Sequence, residues 1–218
     1  MKRVAVILSG CGVFDGAEIH ESVLTLLALD RAGAAVTIAA PDVQQHHVIN
    51  HQTGQPVPGE TRNVRVESAR IARGPVKTVA ELEVKDFDAV LLPGGFGAAK
   101  NLCSFAYAGK DFTIEPSVEK FLKAFHAAGK PIGFACIAPA ICAKLFGPEG
   151  VEFTIGNDPG TAQALSSFGG KHIAAKVDEV VHDTRKKIVT TPAYMLAQGL
   201  AEAEKSLTNL VNKILEIA

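Results

Sequence analysis

The 218-residue sequence has no excess charge of either sign: 22 Lys and Arg stand against 23 Asp and Glu, a formal net charge of −1. That balance removes the electrostatic case for nucleic acid or an anionic membrane surface as a partner. Only small local basic groups occur, such as Arg185-Lys186-Lys187, which reads as a hairpin turn. No apolar stretch of the sequence approaches membrane-spanning length. The opening run Val4-Ala5-Val6-Ile7-Leu8 is broken at once by Ser9-Gly10, and no small-residue cleavage site follows, so it predicts a buried strand and not a signal peptide. The four cysteines, Cys11, Cys103, Cys136 and Cys142, lack metal-ligand spacing and do not form a small disulfide framework. Reduced thiols in the cytoplasm are the expectation. Internal repeats, low-complexity tracts and linkers are missing as well, which predicts one domain over residues 1–218.

What is present is a regular alternation. Short apolar runs over Val4–Leu8, Ala35–Ala39, Phe87–Leu92, Ile132–Ala135 and Lys187–Thr190 predict strands. Helical patterns over Ile19–Ala32, Ser117–Ala128, Ala138–Phe146 and Tyr194–Ile217 fall between or after them. Near-continuous apolar strands alternating with helices predict an α/β three-layer sandwich, a mostly parallel central sheet with helices on both faces. An irregular insertion at about 41–60 interrupts the rhythm, and Pro41–Gly59 predicts a loose excursion or a small hairpin.

Three predicted strand ends carry unusual residues, and in an open parallel sheet the ligand crevice lies outside those ends. They are Ser9-Gly10-Cys11-Gly12, Pro93-Gly94-Gly95-Phe96-Gly97, and Cys136. Cys136 follows an apolar strand and precedes Ile137-Ala138-Pro139, the pattern of a sharp strand-to-helix turn. A thiol at a helix N-terminus is the candidate nucleophile, with the helix dipole expected to favour the thiolate. The backbone N–H groups of Gly95 and Ile137 are the candidates for holding an oxyanion. An acid beside the thiol could move protons. Glu18 and Glu21 near the start of the first helix share a face, and the residues alone leave both open. The group His46-His47-x-x-x-His51 lacks an acidic partner and predicts polar loop residues or a subunit contact, with no metal site.

Taken in order, these features resemble the ThiJ/PfpI superfamily, of the flavodoxin-like, class I glutamine amidotransferase-like fold. Within it they are most similar to the ElbB family, the "enhancing lycopene biosynthesis" proteins, described as glutathione-independent glyoxalases. The stretches that carry the likeness are Ile7-Leu8-Ser9-Gly10-Cys11-Gly12-Val13, Pro93 through Leu102, Cys136-Ile137-Ala138-Pro139-Ala140 and Val189 through Met195. The resemblance implies Cys136 as the elbow cysteine and Gly95 and Ile137 as oxyanion donors. It implies Glu21 as the essential glutamate, by its distance from Arg31-Ala32-Gly33. Two departures stand out. Ile137 occupies the place of the histidine found in protease-like members, which argues against a peptidase, and Phe134 and Ala138 replace a small-residue pair that usually permits a tight elbow. Thr190-Thr191-Pro192-Ala193-Tyr194 also lacks the His-x-Glu pair of a glutaminase.

The expected activity is therefore that of a cofactor-independent, metal-free lyase of the hydro-lyase class, acting on a small dicarbonyl aldehyde. It would convert glyoxal to glycolate, and methylglyoxal to lactate, through a Cys136 hemithioacetal with Glu21 as general acid and base. The alternatives are a non-enzymatic stress-response, chaperone or redox-sensing role for Cys136, or repair of glycated proteins. A homodimer is the expected assembly. The family name points to isoprenoid biosynthesis, yet no residue pattern encodes a prenyl site.

Overall fold

Alternate residues of β1 (Arg3–Ile7) serve two different cores. In the computed structural model, which describes residues 1–218, Val4 and Val6 join one apolar cluster while Ala5 and Ile7 join the other. The first cluster is completed by Leu29 of α1 (Ile19–Arg31) and by Leu207, Leu210, Val211 and Ile214 of α8 (Leu200–Ile217). The second draws Phe121, Leu122 and Phe125 from α5 (Pro116–Ala127) and Ile141 from α6 (Pro139–Phe146). Strands β6 (Ala89–Leu92) and β7 (Ile132–Ala135) are buried on both faces in the same way. A strand covered twice must be apolar at every position, which is why these runs do not alternate with polar residues.

The main sheet has seven strands in the order β10-β11-β7-β6-β1-β2-β5. It adds β2 (Ala35–Ala40), β5 (Lys77–Thr78), β10 (Val181–Asp183) and β11 (Ile188–Thr191) to those above. Every pairing is parallel except β10 with β11. That antiparallel pair is the hairpin read from Arg185-Lys186-Lys187; Asp183 Oδ1 accepts from the Arg185 and Lys186 N–H groups at its turn. The α/β sandwich with a mostly parallel sheet agrees with the sequence reading.

Several boundaries differ for identifiable reasons. β6 begins at Ala89 and not at Phe87, because Val84–Asp86 forms a tight helical turn that Phe87 closes. The closing helix begins at Leu200 and not at Tyr194. Residues Ala193–Met195 form a separate short turn, with Ala193 at φ 44°, before the chain extends to Gly199. The excursion after β2 holds the two-residue strands β3 (Ile49–Asn50) and β4 (Gln55–Pro56), and it continues to Asn63, which bridges back to Gln44. Helices α2 (Val64–Ala72) and α7 (Pro159–Ser166) gave little apolar periodicity, yet each starts on a side-chain cap, Asn63 and Asp158 respectively.

Candidate active site

Cys136 follows β7 directly, and its N–H donates to the Thr191 carbonyl of β11 at 3.0 Å. Its φ is 59°, so the backbone is left-handed at a residue that carries a side chain. Such a conformation costs on the order of 1–3 kcal/mol and persists only where the surroundings enforce it. Pro139 then supplies the first turn of α6. Phe134 and Ala138 replace the small-residue pair that usually permits a tight elbow, and the turn is strained all the same. Phe134 packs into the core on the α5 face, whereas Cys136 belongs to the α1–α8 side, so the large ring does not oppose the bend. The residue that must be small lies on the neighbouring strand end. A Cβ placed on Gly94 would collide with Cys136 Cβ and come within 2.8 Å of Glu21 Oε2 and 2.9 Å of Cys136 Sγ.

Gly94 thus lies where the thiol and Glu21 meet. Glu21 is fully buried in the first turn of α1. Its Oε2 accepts the Gly94 N–H at 2.8 Å and its Oε1 accepts the Tyr194 N–H at 3.1 Å. Burial raises its pKa to about 7, against the pull of those two N–H groups. Glu18, the other acid left open by the sequence, has a different task. It is the N-cap of α1, and its Oε2 accepts the Glu21 N–H at 2.6 Å.

The Cys136 thiol is also buried, and that burial is the main cause of a pKa pushed well above the ordinary cysteine value. The nearby Glu21 charge and its hydrogen bond raise it further, while the N–H groups of Gly95 and Ile137 pull it down. The thiolate expected from the helix dipole is therefore corrected: desolvation and a neighbouring acid outweigh the helix start. Anionic sulfur becomes favourable here when Glu21 holds the proton and donates to it. The pair then shares one proton, and the Gly95 and Ile137 N–H groups address the sulfur itself.

The loop that brings Gly95 to the thiol is packed backbone against backbone. A Cβ on Gly95 would come within 2.6 Å of the Gly16 carbonyl, and one on Gly97 within 2.6 Å of the Ser9 carbonyl. Glu18 N–H donates to Gly94, Gly97 N–H to Gly16, and the Asn101 amide bridges the Ser9 and Asp15 carbonyls at 2.8 Å each. The glycine pattern at the ends of β1 and β6 is thereby explained as close approach of three segments.

In front of the thiol opens a cavity of about 390 Å³, walled mostly by apolar side chains and reached by Glu18, Thr161 and Tyr194. The Tyr194 hydroxyl lies 3.0 Å from His20 Nδ1. The other histidines and cysteines have separate environments. His46 stacks on Tyr107, with ring centres 3.8 Å apart, and its N–H is held by Asn101. His51 Nε2 accepts from the Phe14 N–H. Cys142 is buried in the opposite core from Cys136, and burial pushes Cys103 up to about 12. All four cysteines are free thiols.

What the sequence reading missed is the third arm of the site, at Ala193 and Tyr194. Thr191 Oγ1 lies 2.8 Å from Ser206 Oγ of α8, and Ser206 Oγ accepts the Ala193 N–H at 3.1 Å. This clamp fixes the turn that points the Tyr194 N–H at Glu21. The sequence signals were Pro192 directly after the strand and the family likeness of Val189 through Met195.

Comparison with known proteins agrees with this geometry. The model of the DJ-1/PfpI family matches residues 2–197. The chain is 50% identical to the human "glutamine amidotransferase-like class 1 domain-containing protein 3, mitochondrial", over 99% of this chain and 83% of that protein. It is 48% identical to the rat "ES1 protein homolog, mitochondrial", over 99% of this chain and 84% of that one. A crystal structure from Ehrlichia chaffeensis, described as an isoprenoid biosynthesis protein with an amidotransferase-like domain, superposes with a TM-score of 0.92 at 36% identity, covering 100% of this chain and 99% of that one. The chain belongs to the DJ-1/PfpI family. No helix of the fold is long and apolar enough to cross a membrane.

Proposed function

We propose that this DJ-1/PfpI-family chain is a glutathione-independent glyoxalase, a lyase that turns glyoxal into glycolate and methylglyoxal into lactate. The observation that carries the reading is the Glu21 carboxyl, buried against the Cys136 thiol and able to hold or release a proton near neutral pH. Cys136 Sγ adds to the aldehyde carbon, and Glu21 passes the thiol proton to the carbonyl oxygen. The Gly95 and Ile137 N–H groups steady the charge that develops there. Glu21 then moves a proton from the sulfur-bearing carbon to its neighbour through an enediol, leaving a hydroxy thioester. Water releases the acid and restores the thiol.

The same machinery would serve repair of glycated proteins, which differs only in substrate. A redox-sensing or chaperone role fits less well, because burial and the Glu21 charge both disfavour a standing thiolate at Cys136. In this reading the protein works as a homodimer in the cytoplasm, where its free thiols stay reduced. The test is glycolate formation from glyoxal by purified protein, followed by NMR without glutathione. Cys136→Ser and Glu21→Gln should each lower the rate by about 1,000-fold or more. A variant as fast as wild type would remove its residue from the mechanism. Consumption of a pre-formed lysine adduct while free aldehyde is scavenged would favour repair.

A further inference from the structure

The cavity at Cys136 is far larger than glyoxal requires. Its volume is about 390 Å³, and Val13, Phe96, Ala99, Phe105, Ile137 and Met195 make a nearly continuous apolar wall. Glyoxal carries no side group that could meet that wall. No Lys, Arg or His lines the cavity, so it offers no side-chain cation to neutralise a carboxylate or phosphate on the ligand. The one charged lining residue, Glu18, has Oε2 committed to the Glu21 N–H. Phe96 is 48% exposed; Lys100 Nζ lies 5.2 Å from its ring centre, and the remaining open aromatic surface gains free energy when an apolar group covers it.

We propose that the cavity takes a 2-oxoaldehyde bearing an apolar aryl or branched alkyl group, and that glyoxal and methylglyoxal are truncated analogues of it. The apolar group lies on the aromatic wall, the aldehyde meets Cys136, and the Tyr194 hydroxyl, held by His20, is the polar group available to the ketone oxygen. The chemistry rests on the glyoxalase reading; the ligand class rests on the cavity alone. The reaction balances internally. The S–C bond forms as the thiol proton reaches the carbonyl oxygen. The aldehyde hydrogen leaves as a proton and returns to the adjacent carbon. The aldehyde carbon is thereby oxidised to the thioester level while the ketone carbon is reduced to the alcohol. Water then cleaves the S–C bond, so phenylglyoxal plus water gives mandelate with no external oxidant.

Two ratios test the proposal on the full-length protein. The first is kcat/KM for phenylglyoxal over glyoxal. The second is the rate of Cys136 alkylation by N-benzyliodoacetamide over iodoacetamide, read by peptide mass to separate it from the more exposed Cys11 and normalised to glutathione. Both should exceed about tenfold, and both should fall towards unity in Phe96→Ser, where a half-exposed side chain is exchanged. Either ratio near unity in the wild-type protein overturns the apolar ligand class, whether or not glyoxal is consumed. A strong alkylation preference with no aldehyde turnover supports the ligand class and removes the glyoxalase reading instead.

Discussion

Strands β7 and β11 lie side by side, run parallel, and each leads into a left-handed residue that is not glycine: Cys136 at φ 59° and Ala193 at φ 44°. The two turns use strain differently. At Cys136 the bend presents a side chain, the thiol, to the cavity and to Glu21. At Ala193 the bend presents a backbone group, the N–H of Tyr194, to the other oxygen of the same carboxyl. The first turn is enforced by Gly94 and by the bond from Cys136 N–H to Thr191, the second by the Ser206 hydroxyl. The pair teaches that one acid can be fixed from two strand ends, only one of which carries a reactive atom.

The comparison breaks most severely at Gly94. Gly94→Ala would drive a methyl group between Cys136 and Glu21, with activity lost by about 100-fold or more and stability by about 1–3 kcal/mol. Glyoxal turnover and urea unfolding measure both. Wild-type activity in this variant would show that the thiol and the acid need not touch.

The acid itself should leave a signature in stability against pH. Glu21 is raised from 4.5 to about 7 in the folded protein, so the folded state holds the proton more tightly than the unfolded chain. Its contribution is fully present below about pH 4.5 and is lost as pH rises through about 7, a change of about 3 kcal/mol. Urea titrations across that window should show the slope in wild type and its absence in Glu21→Gln.

A finer separation of the two turns comes from Ser206→Ala. The Ala193 N–H loses its partner, at about 2 kcal/mol, and the Tyr194 N–H drifts from Glu21. Because Ser206 positions the acid without reaching the cavity, kcat should fall while KM stays near its original value. Last and smallest, Ala193→Gly relieves left-handed strain and adds chain entropy to the unfolded state, for a net gain of about 0.5 kcal/mol by thermal unfolding.

The Cys136 turn was legible because an apolar strand, a cysteine and a proline fall within a few consecutive residues. The layered fold was legible for a similar reason, since doubly covered strands such as Ala89–Leu92 and Ile132–Ala135 leave uninterrupted apolar runs. The Ala193 turn left almost no trace. Ser206 is thirteen residues further along the chain and looks like any small residue on a helix. Glu18 and Glu21 share a helix face, so separating the cap from the buried acid by residue type alone was impossible; the distance to Gly33 carried by the resemblance selected Glu21, the one that packs against Cys136. The state of the thiol was misjudged because the helix start is visible in sequence, whereas complete burial beside a second acid emerges only when α1 packs against the strand ends.

The glycine-packed seam between the ends of β1 and β6 has a kinetic consequence. Contacts made by backbone alone have no rotamers to exchange, so the loop carrying Gly95 cannot adjust to a substrate by flipping a side chain within nanoseconds. Any adjustment there must carry Gly16, Gly95 and Gly97 together, breaking the bonds from Glu18 and Gly97 as it goes. The Gly95 side of the site is consequently the slow, stiff half. Adaptation to ligands of different width falls to the side-chain rotamers of Phe96, Phe105 and Met195 in the cavity lining.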